Sequence, residues 1–250
     1  MPNHVTTVLT VCDLGGILIA DVHAALLNDD RKVDFNVIDP APHCLKGFEP
    51  NMGVIGRAKL ALGLIEEPNQ SLADLSDFTA RLQFSNAMRD ATTPIENGQI
   101  EAVCRAISNY RKCGYLYWYD WNNDHWGTKW NAYGQPDSGF SNDETDFQFE
   151  TAWSHPFDLI AVLSKRLPQV RFSVKFADED VGSNCGSYAI TAGTRQDECI
   201  APACSKQSDE EKTTFTKFAF ELLYGEEDPA AHGYDKNWRY SDEVYEAHHA

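Results

Sequence analysis

The stretch Asp146–Phe176, "DFQFETAWSHPFDLIAVLSKRLPQVRFSVKF", decides the fold. Its first part alternates, with Phe147, Phe149, Thr151 and Trp153 on one side, which predicts a strand with one buried face. The period then changes. Pro156 stands in a first helical turn, Asp158 lies near the positive end of the helix dipole, and Pro168 follows its close. "VRFSVKF" alternates again, with Val170, Phe172, Val174 and Phe176 inward and Arg171, Ser173 and Lys175 outward. Strand, helix and strand in so short a span predict a helix packed on a sheet.

Outward from this unit, "HVTTVLTV" reads as a first strand with Val5, Leu9 and Val11 on one face. In "ILIADVHAALLND", Ile19, Val22, His23 and Leu26 recur at helical spacing, and "VDFNVIDPAP" reads as an extended piece ended by Pro40 and Pro42. Residues 46–113 differ, being a run of helical patterns. "VIGRAKLALGLIEE" is the first, and "SLADLSDFTARLQFSNAM" opens on a capping box of Ser71 and Asp74. The third has Thr93 at the N-cap, Pro94 first and Glu96 third, an apolar stripe of Ile100, Val103, Cys104 and Ile107, and Gly114 as C-terminal cap. "WYDWNNDHW" places Trp118, Trp121 and His125 on one face of a short helix stopped by Gly127. "TKWNAY" reads as a strand joined to the next by the hairpin loop "GQPDSGFSNDET", and "GSYAITAG" as a closing strand.

With the helical segment set aside, the order is close to β-α-β-β-α-β, the ferredoxin-like split. The expected fold class is α+β: an antiparallel ferredoxin-like sheet with helices on one face. Residues 1–45 and 115–195 form this discontinuous domain, 46–114 a helical insertion, and 196–250 an acidic C-terminal extension carrying one helix, "TTFTKFAFELLYG".

The chain has 38 acidic residues against 21 Lys and Arg, a formal net charge of −17. Such a balance argues against nucleic acid as direct ligand and against anionic membranes, because both need clustered cations. Ferredoxin-like sheets that stack RNA bases need basic surroundings, and "DFQFET" and "ADED" supply the opposite. No apolar run is long enough for a membrane span, and "MPNHVTTVLTV" has no export signal. Seven cysteines without repeated spacing then read as reduced thiols in a cytosol.

The start "MPN", "VDFNVIDPAP", "WYDWNNDHWGTKWNA" and "FQFETAWSHPFDLIAVLSKRLPQVRFSVKFADED" together resemble the YubB ferredoxin-like domain family of phages and conjugative plasmids. The resemblance covers roughly residues 1–45 and 115–193. It implies a ferredoxin-like sheet, carriage on a mobile element and a bacterial host cytoplasm, and it brings no catalytic residues. The chain departs from the pattern at His4, where the family favours Trp, and at "SHP" in place of Ser-Pro-Pro. The insertion and the acidic tail have no counterpart in the family.

Three clusters are candidates for function. In the tail, residues 205–250 carry eleven acids and five bases, interleaved with aromatics. Tyr224, Tyr234, Trp238, Tyr240 and Tyr245, with Glu226, Glu227, Asp228, Asp242 and Glu243, would form a surface matching a basic protein target. The expected partner is a bacterial host protein, a defence or nucleic-acid-handling factor that binding would inhibit. A second possibility is an enzyme for a small ligand or metal at the tryptophan-rich end of the sheet, using Asp120, Asp124, His125, His155, Trp126 and Trp130. Cys185, Cys199, Cys204 and His232 are a weak zinc candidate, since Cys199 and Cys204 are spaced at the edge of zinc-finger practice. No cofactor and no catalytic set is expected; a phage assembly component is the third reading.

Overall fold

The inner face of the sheet is written in its register. Val5, Thr7 and Leu9 stand opposite Thr151, Phe149 and Phe147 on one side. On the other, Thr7 and Leu9 face Phe176 and Val174, and Val174 in turn faces Tyr188. All of these side chains are buried. Each fully buried phenylalanine among them contributes about 1.5–3 kcal/mol relative to exposure.

The structure is a computed structural model that describes residues 3–65, 75–92, 94 and 99–249, the side chains of 75–81 excepted. In chain order the elements are β1 (His4–Asp13), α1 (Ile19–Leu26), α2 (Phe35–Ile38), α3 (Met52–Ala61), α4 (Leu75–Thr92), α5 (Gln99–Cys113) and α6 (Trp118–Trp126). They continue with β2 (Asp146–Ala152), α7 (Phe157–Arg166), β3 (Arg171–Asp178), β4 (Gly186–Thr191), β5 (Thr194–Ile200), α8 (Asp209–Tyr224) and α9 (Asp242–His249). The capping boxes expected at Ser71–Asp74 and Thr93–Glu96 lie outside the described residues. The chain divides into two compact units, Met1–Pro40 with Asn122–Ala250, and Ala41–Trp121.

The first unit holds a sheet of order β2-β1-β3-β4-β5, antiparallel at every pairing. β2 and β3 therefore run in the same direction on either side of β1, joined through α7. The strand–helix–strand reading of 146–176 describes this unit. α1 and α7 bring Val22, Leu26, Leu159 and Leu163 to its core. His23 is buried on α1 with its ring edge on Phe147 at 5.5 Å, and its Nε2 lies 2.8 Å from the Glu144 carbonyl. α8 packs elsewhere: Phe215 and Ala219 meet Ala177 and Cys185. Ala177 follows Phe176 in β3 and so leaves the strand on the opposite face. α8 thus covers sheet surface that α1 and α7 do not.

Local chemistry displaces several expected elements. "TKWNAY" is not a strand; only Tyr133 pairs with Glu150 in an isolated bridge. Asn131 turns its amide to the Phe35 N–H, the Ala132 N–H and the Asp34 carboxylate, so side-chain bonds replace a ladder. "VDFNVIDPAP" contains a helical turn, because Asp34 caps it by accepting from the Asn36 N–H, and Phe35 and Ile38 are buried three residues apart. Trp153 lies beyond the end of β2 at φ +67°, and its side chain is exposed. "GSYAITAG" is not the last strand: β5 pairs beyond it. β5 has no buried face to generate alternation, being exposed along almost its whole length. Asp197 at φ +53° coincides with a register shift, and this bulge with the charges of Arg195, Asp197 and Glu198 blunts the sheet edge.

The second unit is helical. Ile55 and Ala58 of α3 and Ala106 of α5 form its core with Phe48 and Leu116. Gly56 allows α3 and α4 to touch, since a Cβ there would come within 2.4 Å of the Ala91 backbone nitrogen. The inward stripe of α5 is Ala102, Val103, Ala106, Ile107 and Tyr110, whereas Ile100 and Cys104 are exposed. Gly114 at φ +83° closes α5 as expected, its N–H donating to the Tyr110 carbonyl. No described helix is long and apolar enough to cross a membrane.

Candidate functional site: an acidic aromatic groove

The C-terminal segment folds back on α8. Ser208 and Glu211 start that helix with a reciprocal capping box, and hydrogen bonds from the Ser208 backbone N–H and hydroxyl hold the Glu211 carboxyl below its usual range. The helix ends at Gly225, φ +65°. Asp228 then accepts from the Ala230 N–H and opens a short 3-10 turn over Pro229–His232. Asp235 accepts from the N–H groups of both Asn237 and Arg239, which holds its carboxyl low and fixes Trp238 at φ +61°. A non-glycine residue in this region costs of order 1–3 kcal/mol, maintained only when the surroundings over-determine it.

These turns gather rings around buried Phe220. Tyr224 lies at 4.9 Å from it, His232 at 5.3 Å, Trp238 at 5.4 Å and Tyr234 at 5.7 Å. His232 also packs on Tyr224 at 4.1 Å and meets the Glu227 carboxylate at 2.8 Å. Burial pushes the Tyr234 hydroxyl up to about 12, with the nearby Tyr224, Asp180 and Tyr240 adding to it. Beside this cluster opens a groove of about 490 Å³ lined by Phe220, Glu221, Gly225, Glu226, Glu227, Pro229 and Trp238. Two aromatic walls, a proline and three carboxylates form a site suited to a cation on an apolar stem.

Of the tail residues singled out from sequence, Tyr224, Tyr234 and Trp238 converge on Phe220, and Glu226 and Glu227 line the groove. Asp228 serves as a cap, and Asp242 accepts from the Tyr240 hydroxyl at 3.0 Å. Tyr240 reaches the cluster through Tyr234 at 5.7 Å, while Tyr245 is exposed and stacks on His249, with Glu243 in the first turn of α9. Phe220, Glu221 and Pro229 also line the groove and lie outside the residues that the sequence points to. Their signal was the aromatic spacing of "FAFELLY" next to an acidic turn, which sequence alone assigns equally well to a packed helix.

The residues of the other two candidates go to separate places. His155 is buried, its Nδ1 2.9 Å from the Thr7 hydroxyl and its Nε2 2.9 Å from the Tyr188 hydroxyl. His125 pairs instead with Asp39 at 2.9 Å, and the Trp126 indole donates to the Asp39 carbonyl. Asp124 is exposed and Asp120 half-buried on α6. Trp130 is exposed; the Lys129 ammonium lies 4.6 Å from its ring and 4.8 Å from that of Trp153. Cys185 is buried, which pushes its thiol up to about 12, whereas Cys199 and Cys204 are exposed and His232 is engaged with Glu227. Among the described residues no three His, Cys, Asp or Glu side chains are grouped to hold a metal ion.

Residues 126–221 match the family described as "Ferredoxin-like domain in Api92-like protein". This segment is a ferredoxin-like domain of α+β class. Among solved structures, protein api92 from Yersinia pseudotuberculosis is similar at 9% identity over 81% of this chain and 99% of that one, with a TM-score of 0.34. No curated protein matches the chain.

Proposed function

We propose that this protein is a non-enzymatic interaction module that captures a basic segment of a bacterial host protein in the Phe220–Trp238 groove and thereby inhibits it. Carriage by a phage or plasmid, and membership of the YubB family within the ferredoxin-like proteins, are part of the same proposal and rest on the sequence resemblance. The groove itself carries the binding reading. An arginine or lysine head placed against Trp238 gains a cation–π contact of about 0.5–2 kcal/mol, depending on desolvation. Glu221, Glu226 and Glu227 surround the same opening. The net charge of −17 adds long-range attraction for a basic surface, which raises association rate more than affinity.

The test is capture from bacterial lysate by the tagged chain, with bound proteins identified by mass spectrometry, beside titration with an Arg- and Lys-rich peptide. Glu226 and Glu227 are exposed, and Glu226→Lys with Glu227→Lys reverses the charge of the groove at the cost of the Glu227–His232 contact. The pair is expected to weaken peptide binding about tenfold or more, since each of two like charges replaces an attraction with a repulsion. Binding is also expected to fall steeply between low and high salt. Peptide binding that survives both the charge reversal and high salt would overturn the proposal.

A further inference from the structure

We propose that Cys44 and Cys113 are a reversible redox pair, two thiols that a small-molecule disulfide oxidises to an internal bond tying together the two ends of the helical unit.

Their sulfurs are 3.7 Å apart, although the residues are 69 positions apart in the chain. Cys44 lies in a 3-10 turn, His43–Leu45, near the start of the unit Ala41–Trp121, and Cys113 is the last residue of α5 near its end. Backbone pins on both sides hold the pair in place. Arg105 donates from α5 to the Lys46 carbonyl at 3.1 Å and reaches the Cys44 carbonyl at 3.5 Å. Asn109, buried, donates to the Leu116 carbonyl beyond the helix. A disulfide needs its sulfurs about 2.05 Å apart, and these two already lie in contact at 3.7 Å.

Both residues are half-buried, within reach of a small reagent yet sheltered from casual oxidation. Burial raises the Cys113 thiol above its ordinary value, with Cys44 beside it adding to the shift. The pair then rests as dithiol in a reducing cytosol and closes when the poise becomes oxidising. With oxidised glutathione the step balances: the two protein thiols lose their hydrogens and form one S–S bond, and the glutathione disulfide is cleaved to two thiols. It proceeds through a mixed disulfide on one cysteine, displaced by the other. The closed loop would enclose α3, α4 and α5, and a cross-link over so long a loop removes much of the unfolded chain's freedom.

The full-length chain is incubated with oxidised glutathione, alkylated and mapped by mass spectrometry, with the exposed Cys12, Cys104, Cys199 and Cys204 as reactivity references. The expected result is a Cys44–Cys113 linked peptide pair lighter by two hydrogens than its parts. Helix unfolding followed by circular dichroism should move up by about 10 °C, and dithiothreitol should reverse the shift. Cys44→Ser should abolish both the link and the shift while leaving the reduced chain's spectrum unchanged. Full alkylation of both cysteines in the wild-type chain, or separate glutathione adducts on each, would overturn the proposal; this readout does not depend on any variant folding.

Discussion

Replacing His155 with alanine is expected to lower stability by about 3–5 kcal/mol, the combined cost of a large cavity and two orphaned hydroxyls. The ring stacks on Phe176 at 4.2 Å, meets the edge of Phe157 at 4.5 Å, and bridges Thr7 on β1 to Tyr188 on β4. Thr7 is fully buried and Tyr188 nearly so, and neither would find water. His155→Phe should recover part of the packing but not the bridge. The same histidine makes stability depend on pH. Burial, with the nearby Arg195 guanidinium adding to it, lowers its pKa from 6.5 to about 3. Between those values the unfolded chain binds a proton that the folded chain excludes. The contribution is therefore fully present above pH 6.5 and is lost as pH falls toward 3, at most roughly 4–5 kcal/mol. Urea unfolding at pH 7, 5 and 4 should show a decline in wild type that is shallower in His155→Phe, by about 3 kcal/mol at pH 4. Identical pH slopes in the two proteins would refute the assignment.

The second large effect concerns the tryptophans. Trp126→Ala is expected to cost about 3–5 kcal/mol, because the indole is 3% exposed, meets Phe35 edge-on at 5.6 Å and donates to the Asp39 carbonyl at 2.9 Å. Phe35 in turn lies edge-on to Phe149 on β2 at 5.8 Å, so the loss reaches the sheet. Trp130→Ala, four residues on, should cost under about 1 kcal/mol, since that ring is 38% exposed and rests mainly under Lys129. Denaturant midpoints of the two variants measure the difference directly. Equal losses would mean that burial does not separate the roles of these two rings.

That contrast also marks how far the block "WYDWNNDHWGTKWNA" was legible. Trp121 and Trp126, on the helix that its spacing predicts, are buried. Trp130 and Trp153 carry the same chemistry yet lie at the surface, because Asn131 spends its amide on neighbouring backbone and Trp153 turns out at positive φ after β2 ends. The tail shows the same boundary. Its acids and rings were visible as composition, but Phe220 as the ring they gather around was not.

The sequence by itself determined what repeats locally. The alternation of β1, β2 and β3, the helical spacing of His23 on α1, the proline boundaries of α7 and the glycine stop of α5 all rest on interactions within a few residues. Only the tertiary structure decided the rest: β5 on an exposed edge with no pattern to betray it, α8 on the opposite sheet face, His155 bridging two strands, and Cys44 beside Cys113. β5 pairs locally with β4 but has no buried face to pattern it; the other three join residues distant in the chain, and such contacts leave no local periodicity because loop closure, not neighbouring side chains, determines whether they form.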